Sequence, residues 1–148
     1  MATKQKLKGF SPTRKYKNDS AAVSGGVWRD YADGAARLLV ARYQNPEHEA
    51  FIRAEREKHP EFTEGGEKAD TAEAKAFFLE LGNRGLAQFI LKGWEGILDE
   101  DSETELKYSS EAAFQLLTEL EEFSDDVFRL SLEAEQYRAY KADAAVKN

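Results

Sequence analysis

The sequence predicts an α+β chain, predominantly helical, with an N-terminal β-hairpin followed by a small helical bundle. Three observations predict it. Val27-Trp28-Arg29-Asp30-Tyr31-Ala32 alternates apolar and polar residues and runs into Asp33-Gly34, a strong hairpin-turn signal. Between residues 71 and 92, Ala74, Phe77, Phe78, Leu81, Gly85, Phe89 and Ile90 recur at spacings of three and four, the period of an amphipathic helix. Residues 111–123 and the stretch after Ser124 repeat that helical spacing.

Length and composition bound the rest. At 148 residues one domain is the default, and a chain of this size buries roughly 70% of its unfolded surface. There is no cysteine, which excludes a disulfide scaffold, a Cys-ligated zinc site and a cysteine nucleophile. No apolar run approaches the ~20 residues of a membrane span, and the Lys-rich N-terminus is not a secretory signal. A soluble intracellular protein is expected, with no membrane partner. Net charge is −7 overall, yet residues 1–20 carry Lys4, Lys6, Lys8, Arg14, Lys15 and Lys17 against Asp19. The acidic remainder repels nucleic acid, so a nucleic-acid role would rest on that short arm alone.

In chain order, residues 1–24 lack periodicity and read as a basic, irregular arm. Residues 25–62 read as hairpin plus helix and residues 63–148 as the bundle, one domain overall from 25 to 148. After Gly34, Leu38-Leu39-Val40 offers the return strand, and an isolated hairpin must pack on something else. Asn45-Pro46-Glu47 is a helix start: Asn45 caps, Pro46 needs no N–H partner, and Glu47 favours the dipole. That helix should end near Lys58, before Pro60, and Gly65-Gly66 marks a flexible link. The next helix should run to Lys92, with a kink or break at Gly82-Asn83-Arg84-Gly85. Ser109 should cap the helix carrying Ala113, Phe114, Leu116, Leu117 and Leu120. Ser124-Asp125-Asp126 should cap a last helix that buries Val127, Phe128, Leu130, Ala134, Tyr137 and Tyr140.

Between the two apolar segments lies Lys92-Gly93-Trp94-Glu95-Gly96-Ile97, then an acidic turn, then Leu106-Lys107-Tyr108-Ser109-Ser110-Glu111. This succession resembles the tail assembly chaperones of long-tailed (siphovirus-type) bacteriophages and prophages. Members tend to show a Trp-Glu-Gly core, an Asp/Glu/Gly turn, and a short proline- and aromatic-bearing lead-in to the next helix. Here the acidic turn has no glycine, and Lys107 and Ser110 stand where prolines are usual. Weaker likeness extends to Gly34-Ala35-Ala36-Arg37-Leu38-Leu39-Val40 and Asn45-Pro46-Glu47, so that it covers about residues 27–123. The resemblance implies a protein that binds the tape-measure protein and helps recruit tail-tube subunits. It implies a host-cytoplasmic factor absent from the mature virion, and oligomers are compatible with it. Such genes often yield a longer product by ribosomal slippage; Val146-Lys147-Asn148 is compatible with a slippery codon run, making a longer form of the chain a further partner.

Little in the sequence carries catalytic chemistry, and the expectation is a protein that is not an enzyme and takes no cofactor. Asp99, Asp101 and Glu103 match positions one, three and five of a calcium loop, but Thr104 and Ser110 occupy the positions that need glycine and glutamate. His48 and His59 lie about 16 Å apart along one helix, too far to share a metal, and both read as surface residues. No phosphate-binding glycine loop, nucleophile elbow or dinucleotide fingerprint occurs. The candidate partner-binding residues are Trp28, Tyr31, Tyr43, Trp94 and Tyr108, aromatic types that concentrate in interface hot spots, although core burial suits each one singly. The rival to a chaperone is a structural virion component, or an interaction module that stays in its assembly.

Overall fold

The computed structural model describes residues 6–142. Its sheet begins where the alternation predicts, with β1 (Val27–Tyr31) and β2 (Ala36–Val40) paired antiparallel from Val27↔Val40 to Tyr31↔Ala36. The turn spans Ala32 to Ala35 rather than the two residues Asp33-Gly34. Ala32, Asp33 and Gly34 all take positive φ (53°, 55° and 87°), and the Gly34 and Ala35 amides donate to the Tyr31 and Ala32 carbonyls. On β2 the alternation sends Ala36, Leu38 and Val40 into the core.

The partner that this hairpin needs is a third strand. β3 (Leu91–Glu95) pairs antiparallel with the free edge of β2, giving the order β1-β2-β3. This corrects the expectation of a helix running to Lys92. The helix, α4 (Ala72–Gly85), is capped by Thr71 and passes through Gly82-Asn83-Arg84 without a break, then widens into one π-helical turn, Leu86–Ile90. A bulge explains how the chain changes from helical to strand burial. Leu39 faces Gly93 while Val40 faces Leu91, so Lys92 is the extra residue on β3. Without it, strict alternation would turn Lys92 inward and Leu91 outward. With it, Leu91 and Trp94 are both buried.

Local chemistry places the other helices. α3 (Pro46–Glu57) starts as expected, Asn45 Oδ1 accepting the His48 amide at 3.0 Å. α5 (Ser110–Glu119) starts at Ser109, whose Oγ accepts the Ala112 amide at 3.0 Å, with Glu111 in the first turn. α6 (Glu121–Ser131) begins directly after Leu120, which corrects the expected cap at Ser124-Asp125-Asp126. Those three residues lie inside α6, and the Ser124 hydroxyl donates to Asn83 Oδ1 on α4 instead. α6 stops at Ser131; a 3-10 turn, Ala134–Tyr137, follows and buries Tyr137, whose hydroxyl donates to the Val40 carbonyl at 3.0 Å.

Two segments are more ordered than the sequence suggests. Residues 12–25 form α1 (Pro12–Tyr16) and α2 (Ser20–Gly25), capped by Ser11 and Asp19, where an irregular arm is expected. The segment is tied to the far end of the chain. The Asp19 amide donates to the Tyr137 carbonyl, the Ala139 amide to the Lys17 carbonyl, and the Arg138 guanidinium to Tyr16 O and Asn18 Oδ1. The expected link at Gly65-Gly66 is a tight turn. Gly66 lies against residues 60–61, where a Cβ would sit 2.3 Å from the Pro60 carbonyl, and Phe62 packs on Phe77 with ring centres 5.0 Å apart. Residues 146–148, with the compatible slippage run, lie outside the described residues.

The core sits between the inner face of the sheet and the layer made by the π-turn, α5 and α6. Leu38, Val40, Ile90, Leu91, Leu117 and Val127 are essentially inaccessible there, each contributing roughly 1.5–3 kcal/mol by burial.

Candidate partner-binding surface

Trp94 and Tyr108 come together, and they do so inside the protein. Trp94 is 6% exposed; its indole Nε1–H donates to the Leu106 carbonyl at 2.6 Å, and its ring meets Tyr108 edge-on with centres 5.0 Å apart. Tyr108 in turn donates its hydroxyl to the Leu91 carbonyl at 2.6 Å, and burial pushes its pKa up. The pair thus pins the chain leaving β3 to the chain entering α5. Between them the acidic turn closes on itself. Asp99 Oδ1 accepts the Asp101 and Ser102 amides, which holds its pKa down, and Glu105 Oε1 accepts the Gly96 amide at 2.9 Å. Gly96 has φ +80°, and a Cβ there would lie 2.6 Å from the Ala35 carbonyl, so this corner requires glycine.

Trp28 and Tyr31 point to opposite faces of the sheet, as neighbours of odd spacing must. Trp28 lies on the outer face, 41% exposed, beneath the Arg37 guanidinium at 4.8 Å, while Arg37 also bonds Glu95 across the strands. Tyr31 lies inward, edge-on to Phe123, and donates to Asp126 Oδ2 at 2.6 Å. Burial first, then that bond to a carboxylate, pushes the Tyr31 phenol up to about 12 and the same bond holds Asp126 below the ordinary carboxylate range.

Tyr43 leads to the feature that sequence reasoning missed. It stands between His48 and Phe128, with ring centres 5.0 and 4.9 Å away. These three rings, with Phe78, Leu79 and Gly82, line a cleft of about 210 Å³ among α3, α4 and α6. Leu79 and Phe128, 69% and 40% exposed, stand at its rim. His48 is a correction to the surface reading: it is 2% exposed. Gln44, held at φ +60°, delivers its amide to His48 Nδ1 at 3.1 Å, which leaves the ring proton on Nε2. Burial lowers the His48 pKa and keeps the ring neutral. Asn45 is buried beside it, donating to the Arg42 and Phe89 carbonyls. His59 lies elsewhere, half-buried against Phe62 and Phe77 and bonded to Glu61.

The five sequence candidates therefore do not form one surface. Trp94 and Tyr108 share a core pin, Tyr31 and Trp28 occupy opposite faces of the hairpin, and Tyr43 alone lines the cleft. The sequence signals of the cleft are small. His48 stands three residues after a cap, and Gly82 stands in the middle of a helix that has no need to bend.

The fold is a small antiparallel sheet backed by helices with an open cleft among α3, α4 and α6, and among the described residues no group of three His, Cys, Asp or Glu is arranged for a metal. More narrowly, the chain belongs to the YdaY prophage protein family, whose profile matches residues 43–148. The match takes in the whole cleft and the Trp94–Tyr108 pin, and leaves α1, α2, β1 and β2 outside it. No curated protein and no solved structure matches the chain.

Proposed function

We propose that this prophage protein is a tail assembly chaperone that acts by binding and not by catalysis. Its client is the tape-measure protein, and its task is to keep that long apolar helical chain soluble while tail-tube subunits are recruited to it. The observation that carries the reading is the open apolar cleft with Leu79 and Phe128 at its rim. Large apolar side chains grouped at a cleft are uncommon on a chain with no partner to bind. Membership of a prophage family supports the same direction, as does the Trp94-Glu95-Gly96 succession that resembles phage chaperones. Such a factor works in the host cytoplasm, as an oligomer or with a longer form of itself, and leaves before the particle is finished.

Mass spectrometry of purified particles from an induced lysogen tests this against the structural alternative. The protein is expected in the lysate and missing from the particles. Recovery at stoichiometric amounts in intact tails would make it a virion component.

A further inference from the structure

We propose that the cleft among α3, α4 and α6 seats a basic amphipathic helix of the partner protein. That helix places a leucine-sized side chain over Gly82 and an oxygen acceptor on His48 Nε2. The inference rests on the client-binding reading above and specifies its site. Three observations meet at this place.

The first is the buried imidazole. His48 spends Nδ1 on the Gln44 amide, so Nε2 carries the proton. No described residue accepts from Nε2, and no buried side-chain nitrogen or oxygen of the described residues is both sealed from solvent and unpartnered, so Nε2 is not fully sealed, and His48 is one of the residues that line the cleft. A donor this deep in an apolar setting gains most from an acceptor that arrives with the ligand. The neutral ring suits a side-chain amide or hydroxyl oxygen.

The second is Gly82. Glycine within a helix costs about 1 kcal/mol relative to alanine, and here a Cβ would meet nothing within 4 Å. Packing within the chain therefore does not require it, and what the missing side chain does is hold the cleft open. Gly85, one turn on, differs: a Cβ there would sit 2.8 Å from His48 Nε2, so that glycine makes room for the imidazole.

The third is size and charge. About 210 Å³ is below the ~300–1,000 Å³ of small-molecule sites and suits one or two protein side chains. Among the described residues that line the cleft, Asp125 is the charged one; helix spacing puts Glu121 a turn before it on α6, and Lys75 a turn before Leu79 on α4. On the opposite wall, Arg56 is already spread over the Phe78 ring at 5.5 Å. An apolar floor with an acidic α6 wall selects an apolar stripe flanked by Lys or Arg.

The test uses the full chain and an end-capped helical peptide with leucines at i, i+3 and i+7 spacing and Lys and Gln elsewhere, titrated calorimetrically, with the His48 ring nitrogens followed by NMR. Binding is expected, with the Nε2 signal moving while Nε2 stays protonated. Gly82→Leu should weaken binding about tenfold or more without lowering the melting temperature, and Leu79→Lys, at an exposed position, should weaken it about fivefold. The same peptide with Glu for Lys should also bind about fivefold less. No binding, binding by Gly82→Leu within about twofold of the parent, or equal binding of the Glu peptide would overturn the inference. The tape-measure protein separates the two readings. If it binds parent and Gly82→Leu alike, chaperoning stands and the cleft is not the seat. If the peptide discriminates as described but the tape measure does not bind, the cleft stands and its client is another protein.

Discussion

Trp94→Ala is the perturbation whose cost follows most directly from the fold. The indole is 6% exposed, packed in the main core, edge-on to Tyr108, and bonded through Nε1–H to the Leu106 carbonyl. Deleting a buried aromatic of this size costs ~3–5 kcal/mol. The orphaned Leu106 carbonyl adds toward the low end of ~1–3 kcal/mol, because water can reach this edge of the loop. Against a total stability of ~5–15 kcal/mol, that is a large fraction of what holds the domain together. In urea unfolding followed by circular dichroism, a slope of ~1–3 kcal/mol per molar moves the midpoint down by at least ~1 M. Trp94→Phe keeps an aromatic against Tyr108 and loses the donor, so it should fall between parent and alanine variant. If Trp94→Ala unfolds within ~1 kcal/mol of the parent, Trp94 is not the pin between β3 and α5, and a loss confined to client binding would make it a surface anchor instead.

Three further outcomes follow from single sites. Gly96→Ala should cost at least ~1–2 kcal/mol in the same unfolding assay, because φ is +80° and the added methyl meets the Ala35 carbonyl; an unchanged midpoint would contradict the turn geometry. His48 is held neutral by burial, with its pKa below the usual 6.5. The unfolded chain therefore takes up that proton first on acidification, and stability should fall below pH 6.5 by up to ~1.4 kcal/mol per unit until the lowered folded pKa is reached. His48→Asn, which keeps an acceptor for the Gln44 amide, should remove that component, and an identical pH profile would show that another group is responsible. Thermal unfolding should give the same midpoint with chelator or with millimolar calcium, since Asp99 Oδ1 is occupied by the Asp101 and Ser102 amides. A rise of several degrees with calcium would contradict this.

What the sequence made legible was the chemistry that acts over three or four residues. Asn45, Thr71 and Ser109 each bond an amide three residues ahead, and residues 27–31 alternate because one face of β1 is half-buried and the other exposed. What it concealed depends on partners far along the chain. Leu91-Lys92-Gly93-Trp94 continues the apolar spacing of Phe89 and Ile90, and only the free edge of β2, some fifty residues upstream, makes it a strand. Ser124-Asp125-Asp126 has the composition of a cap, yet acidic residues suit a first turn equally well, and α6 begins at Glu121. The basic arm has no periodicity because backbone bonds to Tyr137 and Ala139, rather than an apolar face, hold it in place. The cleft was hidden for the same reason: His48 on α3, Gly82 on α4 and Phe128 on α6 share nothing until the chain folds.

Whether this prophage protein carries an apolar client is decided by producing it together with the tape-measure protein of the same prophage and passing the soluble fraction over a sizing column with light scattering. The tape-measure protein, insoluble alone, is expected to become soluble and to elute with this chain in a complex of fixed stoichiometry. A tape-measure protein that stays insoluble, or that elutes apart from this chain, would contradict it.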